Sequence, residues 1–173
     1  MNGEAKRAKL QPLLDRMTLP AIAAPMFLVS GIELVVETCR AGVIGTFPLL
    51  NARTTEALEE WMRTVGERHE NLVAAEPGRK IAPWGVHINV NSGNVRFEPD
   101  FELVKRFKVP VVITSLGNPA RVVRDVHDYG GLVFSDVIGI KHAKKAAEAG
   151  VDGLILVCNG AGGHGGTLNP LAF

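Results

Sequence analysis

Apolar positions fall into short blocks that alternate with amphipathic segments along most of the chain. Residues 21–28 (AIAAPMFL) read as a buried strand, and Pro25 predicts that regular pairing stops near Ala24. Residues 31–41 carry Ile32, Val35, Val36 and Cys39 at i, i+3, i+4 and i+7, the spacing of one helical face. Ser30 or Gly31 opens that helix. The alternation continues with a strand over 43–50 and a helix over 54–70, for which Thr54 or Thr55 is the N-cap. A strand over 81–90 precedes a short helix over 101–107, with 71–80 between the units as a long loop. Then come a β-branched strand (109–115) and a helix (118–130) with proline in its first turn and glycine at its end. A strand over 131–137, a helix over 141–150 and a sixth strand over 151–159 complete the pattern.

Strands that alternate with helices predict a parallel sheet covered by helices. Runs such as VPVVITS and GLILV, apolar at nearly every position, fit strands buried on both faces. Two architectures compete, a doubly wound open sheet and a (β/α)8 barrel. Six strands complete the first and fall short of the second, which takes about 250 residues. The chain has 173. It stops at GTLNPLAF without a closing helix, which reads as an interrupted barrel.

Composition narrows the function classes. The 19 Lys and Arg nearly cancel the 18 Asp and Glu, and 46% of residues are hydrophobic. That argues against a disordered chain and against a polybasic nucleic-acid tail. Aromatic residues, at 6%, are too few for a base-stacking surface. No apolar run reaches the length of a membrane span. Cys39 and Cys158 make neither a disulfide framework nor a CxxC zinc motif. The charged N-terminus (MNGEAKRAKLQPLLDR) lacks the apolar core of a secretory signal, so a cytoplasmic location is expected.

Ligands of parallel α/β folds sit at the carboxyl ends of the strands. Those ends are Ala24-Pro25-Met26, Thr46-Phe47-Pro48, His87-Ile88-Asn89, Thr114-Ser115, Ser135-Asp136 and Cys158-Asn159-Gly160. The last runs into NGAGGHGG (159–166). Gly160, Gly162 and Gly165 satisfy G-x-G-x-x-G, but a dinucleotide site needs a helix directly afterwards and an acidic residue about 20 positions on. Neither follows. The glycines also let backbone approach a flat ligand closely, with His164 standing among residues without bulk. An imidazole with an ordinary pKa of about 6.5 suits a general base. A histidine in a flexible surface turn explains the same residues, and the pattern alone leaves both readings open. Ser115 and Asp136 either face the site or cap the following helices. Cys158 reads as a buried, inert thiol, and the charges of KHAKK (141–145) as a solvent face.

Four segments carry a resemblance: LPAIAAPMFLVSG (19–31), WGVHINVNSGNVR (84–96), VVITSLGNP (111–119) and AGVDGLILVCNGAGGHGG (149–166). In this order they resemble the N-terminal part of the nitronate monooxygenase (2-nitropropane dioxygenase) family, FMN-dependent (β/α)8 barrels. The resemblance implies a partial TIM barrel of about six parallel strands, with residues 1–173 as one incomplete domain. It places Ala24, Pro25 and Met26 against the flavin. Gly162 and Gly163 become flavin-side glycines, and His164 the base that takes the α-proton of a nitroalkane or orients a nitronate. His87 stands where relatives carry Asn, so its FMN contact is a departure from the family pattern. The implied reaction consumes a nitronate or nitroalkane and O2 and yields a carbonyl compound and nitrite, with no metal.

Two further readings accompany this one. One is an NAD(P)H- and FMN-dependent enoyl-acyl-carrier-protein reductase. The other is an inactive remnant that completes a barrel with another chain or by self-association. Because barrels of this type commonly bind phosphate after strands seven and eight, weak FMN binding is expected of this polypeptide.

Overall fold

The computed structural model describes residues 3–173. One sheet holds five parallel strands in sequential order: β1 (Gly45–Pro48), β2 (Trp84–Asn89), β3 (Val111–Ser115), β4 (Leu132–Val137) and β5 (Gly153–Leu156). Six helices accompany it: α1 (Gly3–Asp15), α2 (Ile32–Arg40), α3 (Thr55–Ala75), α4 (Phe97–Arg106), α5 (Ala120–Asp128) and α6 (Ile140–Glu148). Parallel neighbours, each joined through a helix, form the arc of a partial barrel.

Residue parity divides the two faces of the sheet. On the outer face Phe47, Val86, Ile88, Val112, Val133 and Val137 pack into one core with Val35, Leu58, Met62, Val104, Val122 and Val126 of the helices. The helices reach that core through their spacing. In α3, Leu58, Met62, Val65 and His69 are buried, while Thr54 Oγ1 accepts a hydrogen bond from the Ala57 N–H at 3.1 Å. Helix α5 buries Val122, Val123 and Val126.

The inner face carries the opposite parity. At its N-terminal end Ile44, Ala82 and Val111 cluster with Met17, and Leu13, Ile22 and Phe134 pack against them. Helix α1 is fastened to this end. Lys9 Nζ lies 2.6 Å from Asp152 Oδ1, while Asp152 Oδ2 accepts the Val133 N–H at 2.8 Å and lies 2.8 Å from His127 Nε2. Burial favours the neutral form of Asp152, but Lys9, the Val133 N–H and His127 outweigh it and hold its pKa below the usual carboxylate value.

Five elements differ from the periodicity reading. The first strand is reduced to one parallel bridge between Ile22 and Ile44, secured by Ala23 N–H to Ile44 O at 2.8 Å. The sixth strand is confined to Gly153–Leu156. Helix α3 continues to Ala75, into the stretch read as loop. Helix α4 begins at Phe97 because Pro99 falls in its first turn, where a missing N–H costs no helical bond. The N-terminal segment, read only as charged and without a signal core, folds as α1. No helix among the described residues is long and apolar enough to cross a membrane.

Candidate active site

The strand carboxyl ends open onto a mouth walled by the inner face. Strand register sets that wall. Pro48 pairs with His87, His87 with Ile113, Ile113 with Phe134 and Phe134 with Gly153, so these five residues form one row across the sheet. The next inner row toward the mouth holds Asn89 beside Ser115, and Asp136 beside Ile155. The upper row thus carries Asn89, Ser115 and Asp136 beside Ile155, above the row that holds His87, Ile113 and Phe134.

His87 and Ser115 meet across strands, with Nε2 2.7 Å from Oγ. Burial drives the His87 pKa down to about 4, so the ring is neutral near neutral pH. Asp136 is half-buried and makes no side-chain hydrogen bond or ion pair among the described residues. Desolvation pushes its pKa up to about 6. Neither Ser115 nor Asp136 caps the following helix. The residue before α5 is Pro119, and the Ala120 N–H donates to Asn118 Oδ1 at 3.0 Å, while Gly139 precedes α6.

Ala24, Pro25 and Met26 begin a loop at one side of the mouth. Two side chains fix its course. Ser30 Oγ accepts the Met26 N–H at 3.0 Å and donates to the Ala24 carbonyl at 3.4 Å. Asn51, from the turn after β1, accepts the Leu28 N–H at 3.0 Å through Oδ1. Its Nδ2 donates to the carbonyls of Met26 at 3.1 Å and Ser30 at 2.9 Å. The loop therefore keeps Leu28 at a positive φ of 64° while Met26, Phe27, Leu28 and Val29 stay exposed at its tip. The Arg53 guanidinium lies 5.6 Å from the centroid of the Phe27 ring.

The glycine loop follows β5. Backbone bonds from Asn159 N–H to Leu168 O at 2.9 Å and from Gly166 N–H to Cys158 O at 3.1 Å close its base. A Cβ placed on Gly160, Gly162 or Gly163 meets nothing within 4 Å, so this backbone borders open space. His164 is exposed and has no hydrogen-bond or ion-pair partner among the described residues. The structure thus pairs His87 with Ser115 and ties Ala24 and Met26 to Ser30 and Asn51. No hydrogen bond joins His164 to either group.

Cys158 is buried with Sγ 3.4 Å from the Leu156 carbonyl, and burial raises the Cys39 thiol to about 11. Both thiols are enclosed. Among the described residues no three His, Cys, Asp or Glu side chains are grouped to hold a metal. Sequence reasoning misses Asn51, because bonds spanning 21 to 25 residues leave no mark on local periodicity, and it assigns Ser30 only to the opening of α2, although its hydroxyl ties back to Met26 and Ala24.

The parallel arc, its outer helices and a mouth at the strand carboxyl ends define a partial (β/α)8-barrel domain. The family model for nitronate monooxygenase matches residues 11–172. The chain belongs to the nitronate monooxygenase family, which is a family of oxidoreductases.

Among solved structures, FabK from Thermotoga maritima is similar with a TM-score of 0.73 and 23% identity over 92% of this chain and 47% of its own. A nitroalkane oxidase from Streptomyces ansochromogenes gives 0.73 and 20%, over 91% of this chain and 51% of its own. These likenesses establish the fold. A curated relative, (3aS,4S,5R,7aS)-5-hydroxy-7a-methyl-1-oxo-octahydro-1H-indene-4-carboxyl-CoA dehydrogenase from Mycobacterium tuberculosis, is 27% identical over 147 residues, 85% of this chain. Its counterpart from Rhodococcus jostii is 26% identical over the same length. The chain spans 38% of the length of these two relatives.

Proposed function

We propose that this chain supplies the mouth of an FMN-dependent enzyme that oxidises alkyl nitronates or nitroalkanes with O2 to carbonyl compounds and nitrite. The observation that carries the reading is the family match over residues 11–172, within which the AGGHGG loop follows β5 at the mouth. The residues present fit a flat cofactor. Bare backbone at Gly162 and Gly163 borders open space, Ala24 and Met26 are exposed, and the Phe134 ring of the inner wall is only half-buried.

Ala24, Pro25, Met26, Gly162 and Gly163 would hold the isoalloxazine, with the neutral His87 ring facing it from β2. Bound FMN supplies the electron-accepting chemistry that a nitronate requires. The chain's own contribution is position and proton handling. Ser30 and Asn51 hold the Ala24–Met26 backbone in one shape, so that little ordering is left to be done on binding. His164 orients the nitronate oxygens or takes the α-proton, from a loop whose lack of bulk leaves its ring room to reach the reacting carbon.

The test measures FMN fluorescence on titration with the chain, then nitrite released from propyl-2-nitronate at saturating FMN. Nitrite release that requires FMN, and falls at least about a hundredfold in His164→Ala, is expected. Bound FMN without nitrite would sink the reading. Submicromolar FMN affinity would overturn the expectation of weak binding.

The apolar tip from Met26 to Val29 favours a second reading, an enoyl-thioester reductase, because an acyl chain needs such surface at the mouth. Rapid flavin reduction on stopped-flow mixing with NADH would select it.

A further inference from the structure

The upper inner row contains one ionisable group that the proposed chemistry leaves idle. Asp136 stands on β4 in register with Ile155 of β5, and Thr114 pairs with Ser135 immediately before it. The next residues of β3 and β4, Ser115 and Asp136, therefore continue side by side on the inner face. Ser115 is in turn held by His87. No guanidinium, ammonium or backbone N–H among the described residues compensates the Asp136 carboxylate. A half-buried carboxylate without such a partner raises the free energy of the folded chain whenever it is ionised. Its placement serves no helix cap and no ion pair.

We propose that Asp136 is a catalytic base of the mouth, taking the α-proton from a neutral carbon acid of the nitroalkane class. The proposal rests on the nitroalkane reading and divides the labour within it, leaving His164 to orient the nitro oxygens.

In the step, the α-C–H bond breaks and an O–H bond forms on Asp136 Oδ. The C–H electron pair moves into the C–N linkage, and negative charge comes to rest on the nitro oxygens. Nothing is oxidised or reduced. Electrostatics favours this order. An ionised Asp136 takes the proton of a neutral nitroalkane, and once protonated it does not repel the nitronate it has created.

The groups facing Asp136 are few. Strand β3 offers Ser115, β2 offers His87, and β5 presents Gly153 and Ile155. Helices α5 and α6 lie on the other side of the sheet, where Val122, Val123 and Val126 pack with Val112, Val133 and Val137, so their charged groups do not face Asp136. With His87 neutral above about 4, Asp136 is the titrating group of the wall near its own value of about 6, which lies close to an operating pH.

The experiment follows exchange of the α-protons of nitroethane in D2O by proton NMR, after subtraction of the buffer rate. It needs no redox turnover. Exchange by the chain is expected to rise as pH passes through about 6 and then level. Asp136→Asn is expected to lower it at least tenfold and erase that limb. Formate added to Asp136→Ala is expected to restore part of the rate, which a merely structural aspartate would not allow. Circular dichroism confirms that each variant is folded. Exchange by Asp136→Asn at the wild-type rate overturns the assignment of Asp136 and leaves the nitroalkane reading standing. No exchange by the wild-type chain overturns the assignment of Asp136 and the nitroalkane arm of the reading, and leaves the oxidation of preformed nitronates to the nitrite assay.

Discussion

Two loops flank the mouth, and they are built in opposite ways. The segment from Ala24 to Ser30 is stitched from within by Ser30 and from outside by Asn51, so its backbone is committed to one shape. The segment from Asn159 to Leu168 is closed by backbone bonds at its base, and its glycines face open space. Under the proposed reading each build has a use: a platform takes its shape before the ligand arrives, whereas a loop meant to bring an imidazole to a reacting carbon needs absence of bulk. The difference locates the side-chain ties in the first loop and the open backbone in the second.

Breaking the first loop carries the largest expected effect. Asn51→Ala removes the side-chain partner of the Leu28 N–H and of the Ser30 carbonyl and one of the donors to the Met26 carbonyl, and we expect a loss of about 2–4 kcal/mol in urea unfolding. Proteolytic nicking between Met26 and Ser30 should increase with it. An unchanged midpoint would mean that the stitching does not hold the loop.

The base of the second loop is expected to be less tolerant than its tip. A Cβ on Gly166 would stand 2.0 Å from the Val157 carbonyl oxygen. Gly166→Ala should therefore cost about 1–3 kcal/mol by denaturant melt. Equal tolerance at Gly166 and Gly162 would erase the distinction between base and tip.

The wall between the loops yields a pH test of opposite signs. In the unfolded chain the His87 ring titrates near about 6.5 and the Asp136 carboxyl near about 3.9. Folded, they stand at about 4 and about 6. For His87 the unfolded state holds more protons within its window. Its contribution is therefore complete above about 6.5 and is lost as pH falls toward about 4. For Asp136 the folded state holds more protons. Its contribution is present below about 3.9 and is lost as pH rises through about 6. Asp136→Asn should thus stabilise the fold at neutral pH by about 1–2 kcal/mol and change little below about pH 4, read from urea midpoints across pH. A variant no more stable than wild type at neutral pH would show that the carboxylate is compensated.

The smallest effect belongs to the loop tip. Gly162→Ala should alter stability by less than about 0.5 kcal/mol while weakening FMN binding measured by fluorescence. Gly163, with φ at 73°, should lose about 1 kcal/mol more on the same change because a side chain strains that conformation.

The sheet was legible because buried parallel strands are apolar at nearly every position, and VPVVITS and GLVFSDV lie where such runs predict. The helices were legible in their faces more than in their ends. Pro99 masked the start of α4, and the last turn of α3 (71–75) continues no buried face, since its apolar residues stay mostly exposed. The first strand misled for a different reason. Its apolar run continues through Met26, Phe27 and Leu28, but those side chains are exposed at the tip of a stitched loop. Hydrophobicity alone does not separate a buried strand from an exposed platform. Of the candidate site, the strand ends were legible in the sequence, whereas the His87–Ser115 pair and the Asn51 stitches depend on register and on contacts distant in sequence. No pattern of local spacing encodes those.

One contact on the outer face constrains how this molecule is free to diverge. A Cβ at Gly45 would fall 2.3 Å from the Val35 carbonyl oxygen, so α2 lies directly on the β1 backbone. Any descendant that replaces this glycine has to lift the helix, and the lifted helix carries Gly31 and the end of the stitched loop with it. Position 45 is thus closed to drift on account of a loop it never touches.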